Sequence, residues 1–206
     1  MTLLEFSLLV IAVVIAIKIF LFIKRRLSML STVLKLKKIE TVEVQITNFL
    51  ALLSKKVTET PFAKVTVGNK VYSVRLFNGK GFRHAAHIVN ERYASVFLKT
   101  GGAVKIRSLA RRAVVTHEAP RVYFPRTVFL PDTSNANGEI PILLFSPAPR
   151  ELTYVTEERT SIKAAFTGDE VFGFKVFTKT TFANFIDRDS RGFFDNLSTD
   201  IYSYDK

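Results

Sequence analysis

His84-Ala85-Ala86-His87 is the one closely spaced histidine pair in the chain, and Glu91 follows four residues later. Two imidazoles and a carboxylate form a donor set for zinc, manganese or iron. On a helix the three side chains would share one face; on a strand His84 and His87 would point to opposite sides and the set would dissolve. The candidate metal site (His84, His87, Glu91) therefore depends on the secondary structure of residues 82–99, and two readings compete there. Phe82, Ala85, Ala86, Val89 and Tyr93 keep a helical spacing, whereas two strands broken at Asn90-Glu91 fit as well. The two-strand reading is preferred, because Gly101-Gly102 follow directly and Val104 and Ile106 resume alternation.

Other chemistries are poorly served. A metal-dependent nuclease of the PD-(D/E)xK kind needs an Asp in a hairpin and an acid two residues before a Lys on the next strand. This chain offers Ser73-Val74-Arg75 and has no Asp before Asp132, so a working site of that kind is excluded, although an inactive relative with the same fold is not. Gly-x-Ser-x-Gly is absent, there is no Cys, and Gly79-Lys80-Gly81 lacks phosphate-loop spacing. Asp169, Glu170, Asp187 and Asp189 fall in a turn and at a helix end, where acids usually cap or solvate. No catalytic residue is assigned and no cofactor is implied.

The elements that would position any site begin with an apolar run from Leu3 to Ile23, closed by Lys24-Arg25-Arg26. As a helix it is about 30 Å long, the thickness of a bilayer's hydrocarbon core. Glu5 sits at the outer end, and Lys18 can snorkel toward the far interface. Thirteen residues separate the two, so they cannot pair within one chain. A secretory signal would carry positive charge before the run and a small-residue cleavage site after it, and neither is present. Lys and Arg flank the run only on its C-terminal side, which predicts an N-terminus outside and residues 24–206 in the cytoplasm, the protein crossing the cell membrane once.

Charge is uneven along the rest. Residues 24–126 hold twenty-one Lys and Arg against five Glu, a net of +16; residues 127–206 hold eight against twelve acids, a net of −4. A basic half beneath an anionic leaflet gains about 1 kcal/mol per cation near the surface. Nucleic-acid phosphates could hold the same face, and so could the acidic half of the chain itself. The leaflet reading is preferred, with Lys24, Arg25, Arg26, Lys35, Lys37 and Lys38 as the membrane-surface residues. The partners expected are the membrane, anionic lipid headgroups and a possible protein, with nucleic acid a lesser candidate.

The expected fold is a single N-terminal transmembrane helix plus an α+β (mixed α/β) soluble domain, β-rich in its first half and βα in its second. Residues 1–26 form the anchor, 27–60 a basic juxtamembrane neck, 61–188 the soluble domain and 189–206 an acidic, aromatic tail with Phe193, Phe194, Leu197 and Ile201 at helical spacing. Val42, Val44 and Ile46 alternate as a strand, while 48–57 is ambiguous between helical turns and strand. Gly68-Asn69 marks a hairpin. The basic, β-branched stretch 107–131 precedes a loop, and Ile142 to Phe145, wholly apolar, reads as a strand covered on both faces. Val171 to Phe177 reads as one strand, leading into a helix capped at Thr178 to Thr181. The function expected is binding by a basic cytoplasmic domain; the alternative is a membrane-tethered enzyme, a hydrolase or a degenerate nuclease-like fold.

Overall fold

The computed structural model describes residues 3–78, 84–100, 121–133, 138–156 and 161–192. The expected features at 101–120 and 193–206 lie outside them. Helix α1 (Leu3–Leu36) runs unbroken from the apolar segment into the fold. Its first half exposes Phe6, Leu9, Ile15 and Phe20, while Met29, Val33 and Leu36, spaced i, i+4 and i+7, are buried. A hydroxyl bond from Thr32 Oγ1 to the Ser28 carbonyl, 2.9 Å, lies between the two halves. One helix thus serves two environments: an all-round apolar cylinder, then a one-sided stripe.

That stripe covers a six-stranded sheet whose order is β1 (Val42–Ile46), β2 (Ala63–Val67), β3 (Lys70–Phe77), β7 (Ile140–Phe145), β11 (Phe174–Thr178) and β10 (Glu170–Val171). Strands β1 (Val42–Ile46), β2 (Ala63–Val67) and β3 (Lys70–Phe77) form an antiparallel meander. The turn between β2 and β3 is the expected Gly68-Asn69, with Gly68 at φ 57°, a value that costs glycine nothing. Strand β7 (Ile140–Phe145) pairs parallel with β3 on one side and with β11 (Phe174–Thr178) on the other. It is buried on both faces, as its unbroken apolar run predicts: Ile142 and Leu144 join the core beneath the helices, and Leu143 and Phe145 join the core beneath a second sheet.

The crossover from β3 to β7 is made of strands rather than a helix. It contains β4 (His84–Asn90), β5 (Tyr93–Thr100) and β6 (Arg121–Phe129), and the crossover from β7 to β11 contains β8 (Glu151–Val155) and β9 (Ile162–Ala164). These five form the second sheet, of order β6-β5-β4-β8-β9, with β4 and β8 parallel. Residues 82–99 therefore contain the preferred hairpin, turned at Asn90, whose Oδ1 accepts from the amides of Arg92 (2.9 Å) and Tyr93 (3.0 Å). Strands β8 and β9 had no counterpart in the sequence reading.

One expected strand is broken in two. Val171 to Phe177 folds as β10 (Glu170–Val171), a two-residue turn and β11, paired antiparallel. Phe172 and Gly173 take φ 48° and 76°, both in the left-handed region, which a tight hairpin of this kind requires. Gly173 also admits no side chain, because a Cβ there would stand 2.7 Å from Thr133 Oγ1. Helix α2 (Lys179–Ser190) starts at the expected cap, Thr178, whose hydroxyl accepts from the Thr181 amide while the Thr181 hydroxyl accepts from the Thr178 amide. Phe182 and Ile186 bury its face against the sheet beside α1. The molecule is layered as helices, mixed sheet and second sheet.

Candidate functional site

Strands β1, β3, β7 and β11 all run the same way, since β1 and β3 are each antiparallel to β2 and the other two are parallel to β3. Their C-terminal ends, at Ile46, Phe77, Phe145 and Thr178, gather on one edge of the sheet. That edge faces the apolar half of α1. The chain leaves α1 through a turn in which the Val42 amide donates to the Ile39 carbonyl (3.0 Å), and β1 then returns toward that half. From just beyond β11, Lys179 Nζ donates to Ser28 Oγ at 2.7 Å.

Ser28 is five residues beyond Ile23, about 7.5 Å along the helix. Between it and the sheet edge lies a cleft of about 500 Å³ whose walls include Leu21, Lys24, Arg25, Phe145, Ala148 and Lys179. Among the described residues three cations line it and no carboxylate does. Arg26 turns away from the cleft's lining and lays its guanidinium over Phe22, 4.8 Å from the ring centroid.

The same edge carries the segment after β1. A 3-10 turn (Phe49–Leu52), capped by the Asn48 side chain on the Ala51 amide, buries Ala51 and Leu52 but exposes Phe49, Leu50 and Leu53 by 54, 73 and 55 %. It is tied to the end of β3 by a hydrogen bond from Asn78 Nδ2 to the Ser54 carbonyl. Exposed Lys55 and Lys56 follow. The sequence reading left 48–57 undecided between helix and strand; its signal was Phe-Leu-x-Leu-Leu ahead of Lys-Lys, more apolar than a surface turn requires.

The structure divides the six residues expected at a membrane surface. Lys24, Arg25 and Arg26 stand at the edge that faces the apolar half of α1. Lys35 lies twelve residues beyond Ile23, about 18 Å further along the helix, and Lys37 and Lys38 follow it in the exposed turn before β1.

At the opposite end of α2 a second cleft, of about 530 Å³, opens where β3, β7 and β11 begin. Lys70, Lys175 and Arg188 line it together with Tyr72 and Asp189. Asp189 is the one buried carboxylate among the described residues. It accepts from Tyr72 Oη at 2.5 Å and from Lys70 Nζ at 2.9 Å, and it follows Phe182 and Ile186 on the helix's inner face at i+7 and i+3. The sequence reading placed it among solvated or capping acids; the inward face of α2 puts it in the core instead.

The histidines are not brought together. Both lie on β4, three residues apart and hence on opposite faces, and Glu91 is in the turn after the strand. His87 Nδ1 bonds Thr153 Oγ1 at 2.9 Å, and burial pushes its pKa below the ordinary histidine value. His84 Nδ1 is buried with no partner among the described residues. Asp169 is remote in role as well, accepting from the Phe166 amide at 2.8 Å. No group of three His, Cys, Asp or Glu side chains suited to a metal occurs among the described residues.

Where a PD-(D/E)xK nuclease would set carboxylates, β3 carries Ser73 and Arg75. The Arg75 guanidinium donates to Ser73 Oγ (3.1 Å) and to the Glu59 carbonyl (3.2 Å). Burial lowers its pKa, with Glu139 opposing that shift. A guanidinium in that place repels the cation such chemistry needs.

No family model matches the chain, and neither a curated protein nor a solved structure resembles it detectably.

Proposed function

We propose that this chain is a single-pass membrane protein of the cell membrane, N-terminus outside, whose basic cytoplasmic domain binds the inner leaflet through the span-facing edge of its sheet. The observation that carries the reading is α1 itself: the only helix among the described residues long and apolar enough to cross a bilayer, unburied over that stretch and continuous with the packed stripe at Met29, Val33 and Leu36. A rigid helix leaves no slack between bilayer and domain, so the edge that meets it is held against the headgroups. Phe49, Leu50 and Leu53 suit the apolar side of that boundary, and Lys24, Arg25, Lys55, Lys56 and Lys179 suit the anionic side.

The split of the lysines refines the expectation from sequence. Lys35, Lys37 and Lys38, about 18 Å or more beyond Ile23 along the helix, lie outside the roughly 8 Å screening length at physiological salt. They contribute to the domain's overall charge, not to contact with the leaflet.

Two experiments test the reading. A reporter fused after Lys206 should behave as cytoplasmic, and activity of a periplasmic or lumenal reporter there would sink the orientation. A fragment of residues 24–206, which retains the buried residues of α1, should sediment with vesicles containing anionic lipid, be released as salt rises and ignore neutral vesicles. Tighter binding to short duplex DNA at equal salt would transfer the basic half to nucleic acid.

A further inference from the structure

We infer that the cleft between α1 and the start of α2 is a binding site for the phosphoryl headgroup of one anionic phospholipid of the adjoining leaflet. The inference rests on the membrane reading above and adds a built site to it. Lys24 and Arg25 approach from α1 and Lys179 from α2, with the hydroxyls of Ser28 and Thr180 between them in the lining. Among the described residues three cations and no carboxylate line the cleft, an excess of positive charge that favours an anion there. Lys and Arg together can supply several charge-assisted donors to phosphate oxygens.

The wall distinguishes lipid from soluble phosphate. Leu21 belongs to the apolar half of α1, two residues before its end at Ile23, and it faces the same cleft as Phe145 and Ala148. The cleft therefore straddles the boundary: cations at headgroup depth, apolar surface about 3 Å inside the hydrocarbon edge. A free phosphate would satisfy the first and leave the second uncovered. A glycerophospholipid satisfies both, its phosphoryl group among the cations and its glycerol and first methylenes along the apolar wall. At about 500 Å³ the volume lies in the ordinary range for small-molecule sites.

The full-length protein in detergent, titrated with phosphatidylglycerol or phosphatidylcholine and read by native mass spectrometry, tests this. Wild type should retain one phosphatidylglycerol per chain and release phosphatidylcholine. Lys24→Gln with Lys179→Gln should weaken retention at least about ten-fold, whereas Lys35→Gln with Lys37→Gln, the same change in charge, should not. Ala148→Trp alters no charge but fills the cleft, and it too should abolish retention; thermal unfolding of each variant checks that it remains folded. Equal retention in the wild type and the Lys24/Lys179 variant, or in a folded Ala148→Trp protein, would overturn the site while leaving diffuse leaflet attraction standing. Competition by inorganic phosphate or glycerol phosphate at concentrations comparable to the lipid would make the occupant a soluble anion and overturn the lipid assignment. Recovery of the wild type from cells in the soluble fraction would defeat the membrane reading itself.

Discussion

At the start of α2, Lys24, Arg25 and Lys179 line a cleft to which no carboxylate among the described residues contributes; at its end, Lys70 and Tyr72 close on the buried carboxylate of Asp189. The clefts are of similar size and both are basic, yet their charges do different things. The far cleft supplies its own counter-ion. There the buried Asp189 carboxylate accepts from both Lys70 and Tyr72, which is the condition under which a buried charge is tolerated in a core. The near cleft leaves its cations toward the apolar, unburied half of α1. Charge alone does not separate a structural cluster from a binding one; whether the fold provides the opposite charge does.

The largest expected effect breaks the far end. Asp189→Ala removes a buried acceptor from Tyr72 and the partner of Lys70, and should cost about 3 kcal/mol of stability, the low end for a buried pair because Lys70 is partly exposed. The midpoint of urea unfolding of fragment 24–206 measures it. Adding Lys70→Met and Tyr72→Phe, which remove the stranded groups, should recover part of the loss. Binding to anionic vesicles should stay at the wild-type level. A stable Asp189→Ala protein with weakened vesicle binding would reverse the roles assigned to the two ends.

The next effect falls on the near end and should leave stability alone. Replacing Phe49, Leu50 and Leu53 together by Ser removes exposed apolar surface, so the folded state should change by less than about 0.5 kcal/mol per residue. Vesicle binding of the fragment should fall about ten- to thirty-fold, since side chains that enter an interface only part way gain a fraction of the 1.5–3 kcal/mol of full burial. Unchanged binding would show that the turn faces water.

The sequence carried the parts of this contrast that rest on local pattern. The apolar run to Ile23, the alternation in β1, the Gly68-Asn69 turn, the doubly covered β7 and the cap at Thr178 all follow from period and turn chemistry. The split at Phe172-Gly173 was hidden because an aromatic residue at positive φ is rare, and an isolated Gly173 within an apolar run reads equally as a bulge in a single strand. Strands β8 and β9 escaped because they are short and never fully buried: Glu151 to Val155 is half-buried throughout and Ile162 to Ala164 is three exposed residues, so the alternation of Leu152 and Tyr154 on the second core is too brief to stand out. The near cleft was out of reach for another reason. Its cations come from residues 24, 25 and 179, and only the parallel pairing of β7 with β11 carries Lys179 back to Ser28. Lys24 and Arg25 could be read from their place after the span, whereas Lys179 was invisible until its strand was placed.

A smaller effect tests how sharply distance divides the basic residues. Lys35, Lys37 and Lys38 changed together to Gln should reduce vesicle binding of the fragment by less than about two-fold. Lys55 and Lys56 changed to Gln, one charge fewer in total, should reduce it more, by several-fold, at about 1 kcal/mol per cation near the surface and less where contact is loose. The comparison is best made at 0.15 M salt, where screening confines the interaction to roughly 8 Å. Equal losses from the two sets would mean that the leaflet senses net charge and that the span-facing edge has no privileged role.

The smallest effect concerns His87, which lines neither cleft and so separates the fold's pH response from the binding edge. Burial holds its folded-state pKa below the unfolded value of about 6.5. Above that value the ring is neutral in both states and contributes no pH dependence. As pH falls through about 6.5 the unfolded chain takes up the proton first, so stability declines, and the decline ends once pH passes below the folded-state pKa. The wild-type unfolding midpoint should therefore drop between pH 7.5 and 5.5 by more than that of His87→Gln, which keeps a partner for Thr153 and cannot titrate. Vesicle binding should show no matching step over the same interval, because His87 does not line the near cleft. A binding step that disappears in His87→Gln would tie the second sheet to the membrane edge and end the separation of the two regions.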